Sequence, residues 1–118
     1  MRVSDYVIQF LRDKYNVDTV FTVSGGGCIF LVDSLGTTDG VKYVATHHEQ
    51  AAAIAAEGYA RMNNKLGACV VTSGPGGTNA ITGTLCSWLD SIPVIVISGQ
   101  VNKEMTTNSV SYTHLTLP

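Results

Sequence analysis

The chain has 118 residues, which is enough for one domain with a single core and too few for two. Its formal net charge is −2, and its 7 basic and 9 acidic residues form no basic stripe, so no nucleic acid is expected as a partner. No apolar run reaches the roughly 18 residues of a membrane span, so no membrane is expected either. Charged residues make up only 14% of the chain, against about 25% in typical globular domains. This favours a surface that packs against other domains or subunits; a small domain rich in alanine and glycine is the alternative.

Helix and strand patterns alternate along the chain. Apolar residues spaced at i, i+3, i+4, i+7 and i+8 from Val3 predict an opening helix, with Ser4 as its possible cap and an end at Asn16. An alanine-rich stretch predicts a strong helix whose small side chains let another helix or a ligand come close. This helix spans 49–62 and ends at Asn63-Asn64, and further helices are predicted at 28–35 (ended by Gly36) and 76–89. Strands are predicted at 19–23, 41–45, 67–72 and 93–98.

This alternation predicts an α/β fold, with a parallel sheet and helices on both faces. The strands are nearly continuous apolar runs, as is typical of a sheet covered on both sides. Ligands of such sheets bind beyond the carboxyl ends of the strands. The segments expected there are 24–27, 46–50, 72–79 and 99–101.

Two of these segments are rich in glycine but do not match a nucleotide fingerprint. The run 25–30 has glycine at the first and third places of G-x-G-x-x-G but ends in Phe30, and the run 74–79 ends in Asn79. Neither carries the Lys-Ser/Thr pair of a Walker loop. The glycines would let the backbone approach a ligand ring closely, or they are simple turns between strand and helix.

Glu49 is the most informative polar residue, because it begins the alanine-rich helix directly after a strand. One interpretation is a carboxylate favoured by the helix dipole, and the other is a functional acid. His47 and His48 precede it, and adjacent histidines in such a turn point in different directions, so a structural or solvent-facing role is favoured over metal binding. Cys28, Cys69 and Cys86 lack disulfide or metal-ligand spacing and are interpreted as small apolar fillers in a reducing cytoplasm.

Three segments together resemble the signatures of thiamine-diphosphate-dependent enzymes, in that family's order and spacing. The segment 48–61 (HEQAAAIAAEGYAR) is similar to the helix that opens with the cofactor-activating glutamate. The segment 72–83 (TSGPGGTNAITG) resembles the next signature, and 90–94 with 98–101 resembles a third. The resemblance covers residues 3 to 105 and is closest to acetolactate synthase and its relatives, which decarboxylate 2-oxo acids.

The resemblance implies a pyrimidine-binding domain with a six-stranded parallel sheet, incomplete in this chain. Glu49 would hydrogen-bond the ring nitrogen of the cofactor's aminopyrimidine and promote formation of the ylid that attacks the substrate's keto group. Thr72, Pro75 and Asn79 would line the pyrimidine pocket, and Gly25 and Gly26 would approach the reacting end. No metal ligand is expected in this chain, because the family binds Mg²⁺ and the diphosphate on a separate C-terminal domain.

The resemblance also implies partners and an activity. The full-length enzyme would be a homodimer or tetramer in the cytoplasm, with its active site formed between two subunits and a 2-oxo acid such as pyruvate as substrate. The chain alone would be inactive; a need for FAD stays open. The alternative is a non-catalytic or partner-dependent pyrimidine-domain module, against which Glu49 argues. Departures from the family pattern at Val23-Ser24 and His47 leave the exact substrate, and the choice between amino-acid and sugar pathways, open.

The end of the chain does not fit this pattern. Residues 110–115 (VSYTHL) are what one frame of GTCTCTTATACACATCT encodes, a string similar to a transposon end used in preparing sequencing libraries. We therefore expect residues 1–108 to be the native pyrimidine-binding domain and residues 109–118 to be a non-native tail. A genuine β segment is the alternative, since Val110, Tyr112 and Leu115 have mild strand character.

Overall fold

A parallel sheet organises the computed structural model, which describes residues 1–102. Its strands are β1 (Thr19–Thr22), β2 (Lys42–Ala45), β3 (Gly67–Val71) and β4 (Val94–Ser98), in the order β2-β1-β3-β4. All three neighbouring pairs are parallel, which confirms the predicted α/β class. Residues 1–102 contain four strands, and the six-stranded sheet implied by the resemblance stays a prediction. The helices are α1 (Val3–Tyr15), α2 (Ile29–Thr37), α3 (Glu49–Asn63), α4 (Pro75–Asn79) and α5 (Ile81–Leu89), and a 3₁₀ turn (Gly26–Cys28) precedes α2.

The sheet has a separate apolar core on each face. Because side chains alternate along a strand, Ala68 and Val70 of β3 join a cluster with residues of α1 and α2. Cys69 and Val71 of the same strand point the other way and join a cluster with alanines of α3. The helices therefore lie on both faces of the sheet, as predicted.

The small residues of α3 allow its backbone to lie very close to its neighbours. A Cβ added to Gly83 of α5 would stand 2.5 Å from the Cβ of Ala53. A Cβ added to Gly67 of β3 would stand 2.2 Å from the carbonyl oxygen of Ala56. The small residues of α3 therefore pack closely against another helix, α5, and against an inner strand of the sheet, β3.

The predicted helix ends are partly right. Asn16 and Asn64 end α1 and α3 in the left-handed conformation, with φ of 55° and 52°. The predicted cap at Ser4 is wrong: Arg2 precedes the helix and its backbone N–H donates to Asp5, while Ser4 is buried within the first turn. Gly36 does not end α2, because the helix continues through Thr37.

The face of α1 that meets the sheet differs from the predicted stripe. Ile8 and Leu11 are buried, whereas Val3, Tyr6 and Phe10 remain exposed. The spacing from Val3 predicted the helix correctly, but the buried face of the helix is rotated away from the predicted apolar stripe. The exposed aromatic rings contribute to an apolar groove on the surface, lined by Tyr6, Val7, Phe10, Leu11, Tyr15, Leu66, Ile95 and Ile97.

The predicted helix 76–89 is two helices that meet at Ala80. The N–H of Ala80 bonds the carbonyls of both Gly77 and Thr78, a tightened turn that ends α4. Gly76 and Gly77 form a weak helix start, and the Ala80 methyl group is buried in the cluster with α3. This break places Asn79 at the end of α4.

Candidate functional site

The predicted site segments meet at the carboxyl ends of the central strands. The chain passes from β1 to β2 on one side and later to β3 on the other side of β1, so the strand order reverses between β1 and β3. Parallel sheets bind ligands in the crevice at such a reversal. The loops after β1 and β3 contact each other at this position.

Thr72 links the loops after β1 and β3 to the end of β4. Its Oγ1 accepts a hydrogen bond from the Gly27 backbone N–H at 3.0 Å, and its carbonyl oxygen accepts one from Ser98 Oγ at 3.0 Å. A Cβ added to Gly25 would stand 2.5 Å from the Thr72 Cβ, so Gly25 packs directly on this side chain. Thr72 is half-buried and acts as the junction between these loops.

Glu49 lies beside the loop after β3 although it begins α3. Its Oε2 accepts a hydrogen bond from Asn79 Nδ2 at 2.9 Å. Its Oε1 lies 3.6 Å from the position that a Cβ on Gly76 would occupy, and that Cβ would also stand 2.8 Å from Thr72 Cγ2. Glu49, Asn79, Gly76, Thr72 and Gly25 thus form one continuous cluster.

Gly26 and Pro75 stand at the border of this cluster. Gly26 is exposed at the start of the 3₁₀ turn, and a Cβ added to it would meet nothing within 4 Å. Pro75 is the first residue of α4, where its fixed φ suits a helix start, and it is exposed. The space beside Gly26 is therefore open, while Gly25 is filled by its contact with Thr72.

The start of α3 fixes the position of Glu49. His48 Nδ1 accepts the backbone N–H of Gln50 at 3.1 Å and so caps the helix, a structural role of the predicted kind. Glu49 is the first residue of a 15-residue helix, where the N-terminal dipole favours a negative charge. Its side chain is half-buried and His47 is exposed.

The cysteines differ in their surroundings. Cys28 and Cys69 are buried free thiols, as expected of apolar fillers. Burial raises the pKa of the Cys69 thiol to about 12, and the negative charge of Glu49 adds to this rise. Cys86 is exposed on α5 in the described part of the chain. Its interpretation as an apolar filler is therefore wrong.

Several glycines in and beside the cluster were not singled out from the sequence. A Cβ added to Gly27 would stand 2.8 Å from Ser73 Oγ, and a Cβ added to Gly99 would stand 2.2 Å from the Gly27 carbonyl oxygen. Gly76 separates Thr72 from Glu49. Glycine at the carboxyl end of a strand was the available signal, but the sequence alone does not say which glycine faces a ligand and which faces another loop.

Residues 1–102 contain neither a candidate metal site nor a membrane-spanning helix. No group of three or more His, Cys, Asp or Glu side chains there could hold a metal ion. No helix in the same range is long and apolar enough to cross a membrane. The predicted non-native tail, 109–118, lies outside the described residues and stays a prediction.

Known proteins are similar to this chain over most of its length. The family model described as thiamine pyrophosphate enzyme, N-terminal TPP binding domain, matches residues 1–116. The acetolactate synthase large subunit of Haemophilus influenzae is 47% identical over 98 residues, which are 83% of this chain and 17% of that protein. The acetolactate synthase isozyme 2 large subunit of Escherichia coli K12 is 47% identical over 102 residues, 86% of this chain and 18% of that protein.

A plant relative extends the comparison. The chloroplastic acetolactate synthase of Arabidopsis thaliana is 39% identical over 102 residues, 86% of this chain and 15% of that protein. The chain thus spans less than a fifth of the length of these relatives. With a parallel α/β sheet and a family match over nearly its whole length, the chain belongs to the thiamine pyrophosphate enzyme family, as an N-terminal TPP binding domain of the acetolactate synthase type.

Proposed function

We propose that this chain is the cofactor-activating part of a thiamine-diphosphate-dependent enzyme that decarboxylates a 2-oxo acid and joins the product to an acceptor, as in acetolactate formation. The position of Glu49 carries this proposal. A half-buried carboxylate stands at the start of a helix, beside the loops that meet where the strand order reverses. When bound, the cofactor supplies a carbanion that attacks the keto group of the substrate.

The residues around Glu49 fit an aminopyrimidine ring. Glu49 offers a carboxylate oxygen that can share a proton with a ring nitrogen. Gly76 and Gly26 present no side chain that would block a flat ring from the carboxylate or from the loop after β1. Asn79 and Pro75 would border the ring, and Thr72 would keep the loops in place behind it.

The same cluster offers no means of holding the diphosphate. The residues named above carry one carboxylate and no cation, and the described chain has no group of metal-ligating side chains. We therefore propose that Mg²⁺ and the diphosphate are held by a separate domain of a longer protein. The low fraction of charged residues supports assembly with further domains and a second subunit, as a homodimer or tetramer.

The substrate proposal rests on the relatives. Proteins named acetolactate synthase are 39–49% identical to this chain over 83–86% of its length, which supports a 2-oxo acid such as pyruvate as the substrate. A non-catalytic module is the alternative outcome of the experiment below.

The test is Glu49→Gln in the full-length protein recovered from its source locus. Glutamine keeps the size of the side chain but removes the carboxylate, so we expect the fold to persist and turnover of pyruvate to fall by roughly 100-fold or more. The measurement is the steady-state rate with saturating thiamine diphosphate and Mg²⁺, with circular dichroism to confirm folding.

Asp39→Asn is the matched control, because it also neutralises a carboxylate and Asp39 is exposed in the turn before β2, away from the cluster. It should leave the rate unchanged. Near-normal turnover by Glu49→Gln would contradict the role of Glu49. A wild-type protein without any cofactor-dependent turnover would favour the non-catalytic module.

A further inference from the structure

The two oxygens of the Glu49 carboxylate have different surroundings. Oε2 accepts the Asn79 amide N–H at 2.9 Å, whereas Oε1 is directed toward Gly76, where a Cβ would lie 3.6 Å away. Within residues 1–102, no side chain donates a hydrogen bond to Oε1. One oxygen is therefore engaged by the protein, and the other is left for a ligand.

The amide group of Asn79 can meet this carboxylate only as a donor. A carboxylate oxygen accepts hydrogen bonds, so the opposite orientation of the amide would place two oxygens against each other. Hydrogen bonds to a charged acceptor are also stronger than those between neutral groups. The contact therefore restricts rotation of the Glu49 side chain.

The packing of the helices holds Asn79 in place. Asn79 ends α4, and the next residue, Ala80, is buried among Ala52, Ala53 and Ala56 of α3. The same α3 carries Glu49 at its start. Donor and acceptor are thus 30 residues apart in sequence but are fixed to one another through a common apolar contact.

We propose that Asn79 is a positioning residue that holds Glu49 through Oε2 and presents Oε1 to the ring nitrogen of the cofactor. This inference rests on the proposed function, because it assigns Asn79 to act through Glu49. It differs from the expectation that Asn79 merely lines the pyrimidine pocket, since a lining residue would affect affinity for the cofactor and not the action of Glu49.

The experiment uses Asn79→Leu in the full-length protein, because leucine is similar in size and has no donor. Two quantities are measured without substrate: the dissociation constant of thiamine diphosphate, and the rate at which the C2 proton of the bound cofactor exchanges with deuterium. We expect the dissociation constant to change by less than about threefold and the exchange rate to fall by about 10- to 100-fold, since the lost bond involves a charged group. The control is Thr82→Ala, at an exposed position on the neighbouring α5, which should leave both the dissociation constant and the exchange rate unchanged.

A second pair of variants makes the test independent of any local disturbance. In a Glu49→Gln background, Asn79→Leu should slow exchange by less than about twofold further, because residues that act through one another are not additive. Asn79→Ser keeps a shorter donor and should give an intermediate rate. Because Asn79 is exposed, these changes are not expected to prevent folding.

The outcomes separate the two proposals. The positioning role of Asn79 would be overturned if Asn79→Leu slowed C2 proton exchange equally in the wild type and in the Glu49→Gln background. It would also be overturned if Asn79→Leu weakened cofactor binding but left the exchange rate normal. Either result would leave the role of Glu49 in place. Normal exchange in Glu49→Gln alone would instead overturn the proposed function.

Discussion

At the scale of single residues, Thr72 shows how a small side chain organises a site. Its hydroxyl oxygen accepts the Gly27 N–H, its carbonyl oxygen accepts Ser98 Oγ, and its methyl side leaves no room for a Cβ at Gly25 or Gly76. The loops after β1 and β3 and the last residue of β4 therefore converge on one threonine. The glycines at 25 and 76 are required by this contact, whether or not a ligand is bound.

The three thiols should react at very different rates. Cys86 is exposed, whereas Cys28 and Cys69 are buried, and the pKa of Cys69 is raised to about 12 by burial and by the charge of Glu49. Because the thiolate is the reactive species, Cys86 should react quickly with an aromatic disulfide reagent and the other two only slowly. Spectrophotometric titration of the native chain should count one fast thiol. A second thiol reacting as fast as the first would contradict the described packing.

Asp18 links three parts of the chain at the amino ends of the strands, opposite the candidate site. Its carboxylate accepts hydrogen bonds from Lys65 Nζ at 2.8 Å, from the Tyr59 hydroxyl group and from Thr19 Oγ1 at 3.0 Å. These bonds, that from Lys65 foremost, lower the pKa of Asp18 to about 2. The ionised form is therefore favoured in the folded chain.

This shift predicts a pH dependence of stability. Since the folded pKa lies below the unfolded value of about 3.9, the contribution of Asp18 is fully present above pH ~4 and is lost as the pH falls toward ~2. Asp18→Asn should lower the urea midpoint at pH 7 and should make the midpoint fall less steeply between pH 4 and pH 2 than in the wild type. Midpoints from circular dichroism test this, and parallel curves for the two proteins would count against it.

At the scale of the elements, the contact between α3 and α5 depends on glycine. A Cβ at Gly83 would stand 2.5 Å from the Ala53 Cβ and 3.0 Å from the Ile54 backbone nitrogen, so Gly83→Ala must push the two helices apart. We expect this variant to lower the free energy of unfolding by about 1–3 kcal/mol, the usual cost of overpacking.

Gly36 provides the matched control for this prediction. It also lies within a helix, α2, but a Cβ there would meet nothing within 4 Å. Gly36→Ala should therefore raise the free energy of unfolding by about 0.5–1 kcal/mol, because alanine is the better helix former. Urea titration of both variants is the measurement, and two changes of the same sign would show that the close contact does not govern stability.

The sequence predicted these elements well where the pattern is local. Periodicity and β-branched runs placed every strand in residues 1–102 within two residues of its observed ends, and Asn16 and Asn64 could be recognised as helix ends. The break at Ala80 could not be predicted, because it depends on the burial of one methyl group against α3.

The site was likewise predictable where it depends on local pattern. The strand that ends just before Glu49 placed this residue at the carboxyl edge of the sheet, and the glycine-rich loop after β3 was expected beside it. The bond between Asn79 and Glu49 was not predictable, since it requires two helices that begin 26 residues apart to pack in one orientation. The contact of Gly25 with Thr72 likewise depends on how two loops meet in space.

At the scale of the whole molecule, much apolar surface remains uncovered. Side chains on α5 and α3 are exposed, and the groove beside α1 and β4 is lined with aromatic and branched residues. Such a surface is unusual for a domain that functions alone, which agrees with the low fraction of charged residues. The exposed residues of α3 and α5 are Ile54, Ile81, Leu85, Trp88 and Leu89.

The most direct test of the account is the consumption of pyruvate by the full-length protein, recovered by amplifying its source locus and reading past codon 109. We predict that pyruvate is consumed only when both thiamine diphosphate and Mg²⁺ are present, and that ATP or NAD cannot replace the thiamine cofactor. Consumption without thiamine diphosphate, or thermal stabilisation by a nucleotide alone, would contradict the assignment of Glu49 and its neighbours to the activation of this cofactor.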